Sequence, residues 1–406
     1  MISGDDQTDE QTFEVEIERL LPEGVGLAHA GGLTLFVSLA APGDVLRVRL
    51  DRLQGNVGFA TITEILKPSS VRVEPPCPYF GRCGGCDFQQ LTYDAQLQAK
   101  VDMIRDCLHR IGQIDLPAEI KITPSANEWH YRARANWQVD SQAKLLGYFE
   151  RGTNRVCDVE YCGVLAPQLE KTFETIRKKI LMPNPIRHPK SIDAVLGEEG
   201  MSVSPAIAGF TARTVSRHIG AETYSFSADT FFQINHELLE PLVAEAIGDA
   251  RGESAIDLYC GVGLFTLPLA RRFGRITGVE ANSRAVEFAR LNVQRAELQN
   301  VEIANLGVAD WLKHSLSFEV LDLLLLDPPR VGCENAVIAG ILGLRPRHIA
   351  YVSCDPATLA RDLKKLVAGG YTLDSIAAFD MFPQTHHVES VVHLSSETLL
   401  SDQGYE

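Results

Sequence analysis

Residues 255–270 read AIDLYCGVGLFTLPLA. An apolar run carrying Asp257 ends at Tyr259, the turn Gly261-x-Gly263 follows, and helical apolar spacing comes next. That order predicts strand, glycine turn and helix, with the glycines letting backbone approach a ligand just before a helix N-terminus. Seventeen residues past Gly263, ITGVE ends a second strand at Glu280, an acid placed to accept both hydroxyls of a ribose. A Gly-x-Gly loop also serves nicotinamide cofactors, but the third glycine of their fingerprint is missing, because Phe265 and Thr266 stand where it would be expected. Asp257 and the lack of a pyrophosphate cradle favour S-adenosylmethionine, which has no phosphate to hold.

The pattern extends in both directions. From about Asn235, the short apolar runs SAIDLY, RITGVE, LDLLLLD and HIAYVSC alternate with helical stretches, as in a parallel sheet covered on both faces. Residues 12–66 are different. FEVEIERL alternates apolar and charged residues, and Pro42-Gly43-Asp44 makes a turn between two strand-like runs. About five short strands there predict a small barrel of the oligonucleotide-binding kind. Between the two lies a segment that opens at PPCPYFGRCGGCDFQQ and includes the strand candidate HYRARANWQV.

Composition narrows the class. Hydrophobic content of 45% and charged content of 22% are ordinary for a globular protein. The polar, acidic start MISGDDQTDEQ does not read as a secretory leader, and the longest apolar runs are too short for a bilayer. Nine cysteines over 406 residues argue against a secreted disulfide framework and for the cytoplasm. Net charge is −15, yet residues 121–225 hold fourteen Lys or Arg against eleven Asp or Glu, so any nucleic-acid contact is expected in this middle region.

Three strand ends carry candidate reacting groups. LLLLDPPR ends at Asp327, with Pro328 and Pro329 stiffening the turn. HIAYVSC ends at Cys354, where Asp355 can cap the next helix and Pro356 suits its first turn. The positive end of that helix is expected to favour thiolate. DMFPQTHHVESVVHL brings Glu389 into a late strand, where a carboxylate could act as a general base. Alone, each has an ordinary packing or surface explanation. A parallel sheet would gather all three around a methyl donor. Cys77, Cys83 and Cys86, spaced C-x5-C-x2-C, and the distant Cys162 suit a [4Fe–4S] cluster or a structural zinc. Cys107 and Cys333 read as packing thiols.

Four motifs in this order, DLYCGVGLFTLPLA, DPPR-x-G, SCDPATLARDL and DMFPQTHHVE, closely resemble the RNA uracil-5-methyltransferase family in its iron–sulfur and TRAM-containing branch, most like those acting on 23S rRNA. The resemblance spans nearly the whole chain from about Phe13. It implies a multidomain α/β protein: a TRAM barrel with an acidic tail (1–70), a central iron–sulfur α+β domain that binds RNA (71–88 and 121–226), and a Rossmann-like class I methyltransferase domain (89–120 and 227–406). It further implies that Cys354 adds to C6 of uracil and that Glu389 removes the C5 proton. Asp327 would lie beside base and cofactor, and Gln233, Tyr259, Gly261, Gly263 and Glu280 would contact S-adenosylmethionine. Phe231 would stack on a flipped base, with Arg132 and Arg134 on one strand face toward structured RNA. The resemblance also selects [4Fe–4S] over zinc at Cys77, Cys83, Cys86 and Cys162, and implies a monomer with no obligate protein partner. Leu264 and Gly307 depart from the family pattern, which often has Asn and a polar residue there.

Overall fold

The computed structural model describes residues 11–115, 119–182, 189–314 and 321–396; the acidic tail before Gln11 lies outside them. The chain divides into two compact units, residues 1–103 with 384–386, and residues 104–383 with 387–406.

In the first unit, alternating burial makes six strands: β1 (Thr12–Glu16), β2 (Arg19–Leu20), β3 (Gly26–Ala30), β4 (Leu33–Val37), β5 (Val45–Gln54) and β6 (Val57–Lys67). Their order is β1-β5-β6-β4-β3-β2. β1 and β2 are one bent stretch of chain that pairs with β5 at one end and with β3 at the other, so the sheet closes on itself. The inward residues Val15, Ile17, Leu35, Val37, Leu46 and Val48 fill its core. The expected turn is present. Gly43 takes φ +82°, and fully buried Asp44 accepts the N–H groups of Ala41 and Ser69 and pairs with Arg72 at 2.6 Å. The barrel's cations are occupied. Arg47 pairs with Glu14 and Glu64, Arg49 with Asp51, and Arg52 lies over the Phe59 ring.

The second unit holds β7 (Lys121–Thr123), β8 (Arg134–Asp140), β9 (Leu145–Phe149), β10 (Val156–Asp158), β11 (Ser191–Gly197), β12 (Gly200–Ser204), and the hairpin β13 (Val215–Ile219) and β14 (Glu222–Phe226). The later strands are β15 (Gly252–Leu258), β16 (Phe273–Glu280), β17 (Val301–Asn305), β18 (Leu323–Leu326), β19 (His348–Ser353), β20 (Tyr371–Phe379) and β21 (Glu389–Ser396). β8 to β12 form an antiparallel sheet of their own. The main sheet runs β17-β16-β15-β18-β19-β21-β20-β7, parallel from β17 to β19, with β21 antiparallel to both neighbours. Strand order reverses between β15 and β18, and ligands of such sheets sit in the crevice at that switch, outside the carboxyl ends of the strands. One expected boundary moves. Lys121–Thr123, assigned from sequence to the middle domain, pairs in parallel with β20 and covers that edge of the main sheet. One apolar cluster, from Tyr224, Phe226 and Phe232 through Leu267 and Ile276 to Val352 and Val391, packs the unit.

Candidate active site

The glycine loop lies at the carboxyl end of β15. Tyr259 takes φ +62°, an uncommon conformation for a side chain of its size, and Gly261 and Gly263 follow at +53° and +95°. Three groups hold the loop. The Tyr224 hydroxyl donates to the Leu264 carbonyl (2.9 Å), Asn292 donates to the Val262 carbonyl (3.0 Å), and Gly261 N–H donates to Glu280 (3.1 Å). The other Glu280 oxygen accepts from Asn282 N–H at 2.7 Å, which fixes the carboxylate at the loop's mouth. Beneath, fully buried Asp257 accepts from the Thr266 hydroxyl, while its Oδ1 has no hydrogen-bond partner. Burial chiefly, then Asp327 and Glu280, push its carboxyl up to about 7 against the opposing Thr266 bonds.

Sheet register assembles the reacting groups. Leu258 pairs with Leu326, so Tyr259 and Asp327 leave neighbouring strand ends together, and Asp327 N–H donates to the Leu258 carbonyl (3.3 Å). Ser353 pairs with Ser390, which sets Cys354 one step beyond that pair, opposite Glu389. Glu389 is 2% exposed and its Oε1 has no hydrogen-bond partner. Burial first, then Asp327, hold its carboxyl far above the ordinary carboxylate range, with Arg330 opposing. Burial alone lifts Asp327 to about 7.

Cys354 departs from the expected thiolate. Burial pushes its thiol up to about 12, Glu389, Asp327 and Asp355 add to the rise, and Arg330 opposes it. The following helix, Pro356–Ala368, is capped by Asp355 accepting from Thr358 N–H (2.8 Å), so that end is already served by an anion. Arg330, which follows the Pro328-Pro329 turn, is the cation that acts on both Cys354 and Glu389.

Phe231 is 63% exposed, whereas its neighbours Phe232 and Gln233 are buried at 2% and 5%. Phe232 stacks on Phe226 at 4.0 Å, anchoring the segment from which Phe231 projects. Arg132 and Arg134 do not form an open cationic face. Arg134 donates to the carbonyls of Thr230 and Ala228 (2.5 and 3.1 Å) and lies 3.5 Å from Asp193, while Arg132 donates from Nε to the Arg134 carbonyl at 3.0 Å. Half-buried guanidiniums complete backbone bonds here, because their strand runs under the loop that carries Phe231.

None of the nine cysteines is joined in a disulfide, and Cys107 and Cys333 are buried as expected. Cys77, Cys83 and Cys86 belong to the first unit and Cys162 to the second. Among the described residues, no three His, Cys, Asp or Glu side chains gather as metal ligands. Thiols are nonetheless a residue type that can ligate iron or zinc. The three loop thiols are half-buried in a run of tight turns, and Gly85 N–H points at Cys83 Sγ (3.4 Å), as backbone amides do at cluster thiolates.

Residues 215–397 match the family model described as tRNA (Uracil-5-)-methyltransferase. The chain is 32% identical to a 23S rRNA (uracil(1939)-C(5))-methyltransferase of Pectobacterium atrosepticum, over 96% of this chain and 94% of that one. It is 31% identical to an uncharacterized RNA methyltransferase of Thermosynechococcus vestitus, over 95% and 98%. In fold it resembles the Pyrococcus abyssi tRNA (uracil-54, C5)-methyltransferase solved with S-adenosyl-L-homocysteine, with a TM-score of 0.71 and 23% identity, covering 94% of this chain and 99% of that one. The end-to-end likeness at 32% identity places the chain in one family: it belongs to the RNA uracil-C5-methyltransferases.

Proposed function

We propose that this chain methylates C5 of a uridine in structured RNA, 23S rRNA above all, through a covalent adduct between Cys354 Sγ and uracil C6. The observation that carries the reading is the juxtaposition of Cys354 with Glu389, a buried carboxylate with an unpartnered oxygen, beside Asp327 at the crevice mouth. S-adenosylmethionine supplies a methyl group on a sulfonium. Gly261, Gly263 and Glu280 would bind its adenosine end, with Tyr259, Gln233 and Asp327 as further contacts.

Uracil C5 is too electron-poor to take a methyl group unaided. As Sγ bonds to C6, the thiol proton passes to solvent and the C5=C6 electron pair becomes available at C5, which would take the methyl group as the methyl–sulfonium bond breaks and S-adenosylhomocysteine is left. Glu389 then accepts the C5 proton, and the electrons of that C–H bond re-form C5=C6 as the C6–S bond breaks, returning Cys354. Burial raises both the Cys354 thiol and the Glu389 carboxyl, and Arg330 is the nearby cation that opposes both shifts. Such chemistry needs the base out of its stack, and exposed Phe231 is placed to stack on it.

The rRNA assignment rests on the Pectobacterium relative; the T-loop uridine of tRNA is the second reading, favoured by the family model. Cys77, Cys83, Cys86 and Cys162 would hold a [4Fe–4S] cluster, and the barrel would be a TRAM module. Incubating the protein with labelled cofactor and 5-fluorouridine-substituted rRNA or tRNA tests the reading: a denaturant-resistant protein–RNA adduct is expected on one of them. Methyl transfer to ordinary RNA with no adduct on either analogue would overturn the covalent route.

A further inference from the structure

The turn after Asp327 is bound from behind by one face of the helix Pro356–Ala368. Thr358, Arg361 and Asp362 share that face by their spacing. The Thr358 hydroxyl donates to the Arg330 carbonyl at 3.1 Å. Arg361 donates to the carbonyls of Val331 (3.0 Å) and Cys333 (3.2 Å), and its Nε donates to Asp362 Oδ1 (2.9 Å). The fully buried Asp362 uses its other oxygen to accept from Cys333 N–H (2.7 Å) and from the Tyr351 hydroxyl (2.9 Å). Between them Gly332 takes φ +71°, and a Cβ there would stand 2.5 Å from Arg361 Nη2 and 2.7 Å from Asp362 Oδ2.

The backbone from Arg330 to Cys333 is therefore fastened at three carbonyls and the Cys333 N–H, and while Cys333 is buried, Arg330 and Val331 are exposed. Val331 is 72% exposed, the highest value among the large apolar residues of the described chain. A mobile surface loop has no need of such anchorage, and an exposed valine on a fixed backbone is suited to contact a partner.

We propose that Thr358, Arg361 and Asp362 are positioning residues that hold residues 330–333 as a rigid lip of the uridine site. The lip sets the Arg330 guanidinium toward Cys354 and Glu389 and presents Val331 to the RNA beside the extruded base. This rests on the reading of Cys354 as the nucleophile. Arg361 is required for its fork, which reaches two carbonyls and a carboxylate together; a lysine ammonium carries the charge without that geometry.

The test compares Arg361→Gln, Arg361→Lys, Thr358→Val and Val331→Ser in the full-length protein. Arg361→Gln is expected to leave Tm within a few degrees and S-adenosylmethionine affinity within about twofold, because the backbone of the glycine loop is held by Tyr224, Asn292 and Glu280. It is expected to raise KM for RNA and slow adduct formation by about tenfold or more, with no rescue by Arg361→Lys. Val331→Ser should raise KM with kcat unchanged. Hydrogen exchange reads the lip directly: the Cys333 amide should lose protection in Arg361→Gln. Unchanged exchange there, or full activity in Arg361→Lys, overturns the clamp. Should Arg361→Gln fail to fold, Thr358→Val, which removes the hydroxyl shared between the Arg330 and Asp355 carbonyls, is judged by the same KM and exchange criteria. If wild-type protein forms no adduct, the nucleophile reading fails, and exchange at residues 330–333 still decides the clamp.

Discussion

Cys354 and Glu389 stand opposite one another, one step beyond the Ser353–Ser390 pair that joins β19 to the antiparallel β21. A wholly parallel sheet would not bring a late strand's first residue to the carboxyl end of its neighbour. Reversing β21 places its N-terminal Glu389 where the other strands terminate, beside the group it is proposed to follow in the reaction.

That relationship predicts different outcomes for the two residues. Cys354→Ala should abolish the adduct with 5-fluorouridine RNA. Glu389→Gln should cut turnover by about 10²–10⁴-fold and accumulate a methylated protein–RNA adduct on ordinary uridine RNA, seen as a band shift on denaturing gels. Free turnover by Glu389→Gln would refute its role as base.

The raised carboxyls set a pH dependence. Glu389 must be ionised to accept a proton, and its carboxyl lies well above the usual range. The single-turnover rate should therefore climb with pH through a value displaced upward from about 4, and Glu389→Gln should lose that limb. Because Glu389 also raises the Cys354 thiol, the same variant should speed iodoacetamide labelling of Cys354 at pH 8.

Asp257 makes a stability prediction of definite sign. Its folded carboxyl is raised to about 7, above the unfolded value near 4, so the folded chain keeps a proton the unfolded chain releases. Stability from this group is present below about pH 4 and is lost as pH rises toward and through 7, by an amount on the order of a few kcal/mol. Asp257→Asn stays neutral and can still accept the Thr266 hydroxyl. In urea melts at pH 5 and pH 8, the variant should lose less stability between the two than the wild type does.

Arg134 should act through Phe231. Arg134→Ala leaves the Ala228 and Thr230 carbonyls without their donors, a loss of about 1–3 kcal/mol for charged hydrogen bonds. KM for RNA is expected to rise about tenfold while binding of S-adenosylhomocysteine, measured by calorimetry, holds. A proportional fall in both would make Arg134 merely structural.

The cysteine assignment can be checked on protein purified without oxygen. Broad absorbance near ~400 nm and about four iron and four sulfide per chain are expected for the cluster. Cys83→Ser should lose that absorbance. One zinc per chain with a colourless protein would replace the cluster by a structural metal.

Much of the methyltransferase unit is legible from local pattern. AIDLYCGVGLF encodes strand, turn and helix because burial, positive φ and helix spacing are each set by a few adjacent residues. Pro42-Gly43-Asp44 is legible for the same reason, and the structure adds that Asp44 is tied to Arg72 across 28 positions. The helix-mouth reading of Cys354 went astray, because it counted the helix end and could not count the carboxylates that other strands deliver. Arg132 and Arg134 misled similarly: a strand pattern says which residues share a face, not whether another loop lies on it. The spacing of Thr358, Arg361 and Asp362 was the one available sign of the clamp, and any exposed helix face would show it equally.

By itself, the sequence determined the order of elements, the glycine loop at the carboxyl end of β15, and the candidates for the reacting groups, since these depend on periodicity, turn chemistry and residue type over short stretches. Only the tertiary structure decided the reversed strand that sets Glu389 against Cys354, the burial that raises the proton affinity of both, and the fastening of residues 330–333. Those depend on register and dielectric, which arise when segments tens to hundreds of residues apart exclude water together.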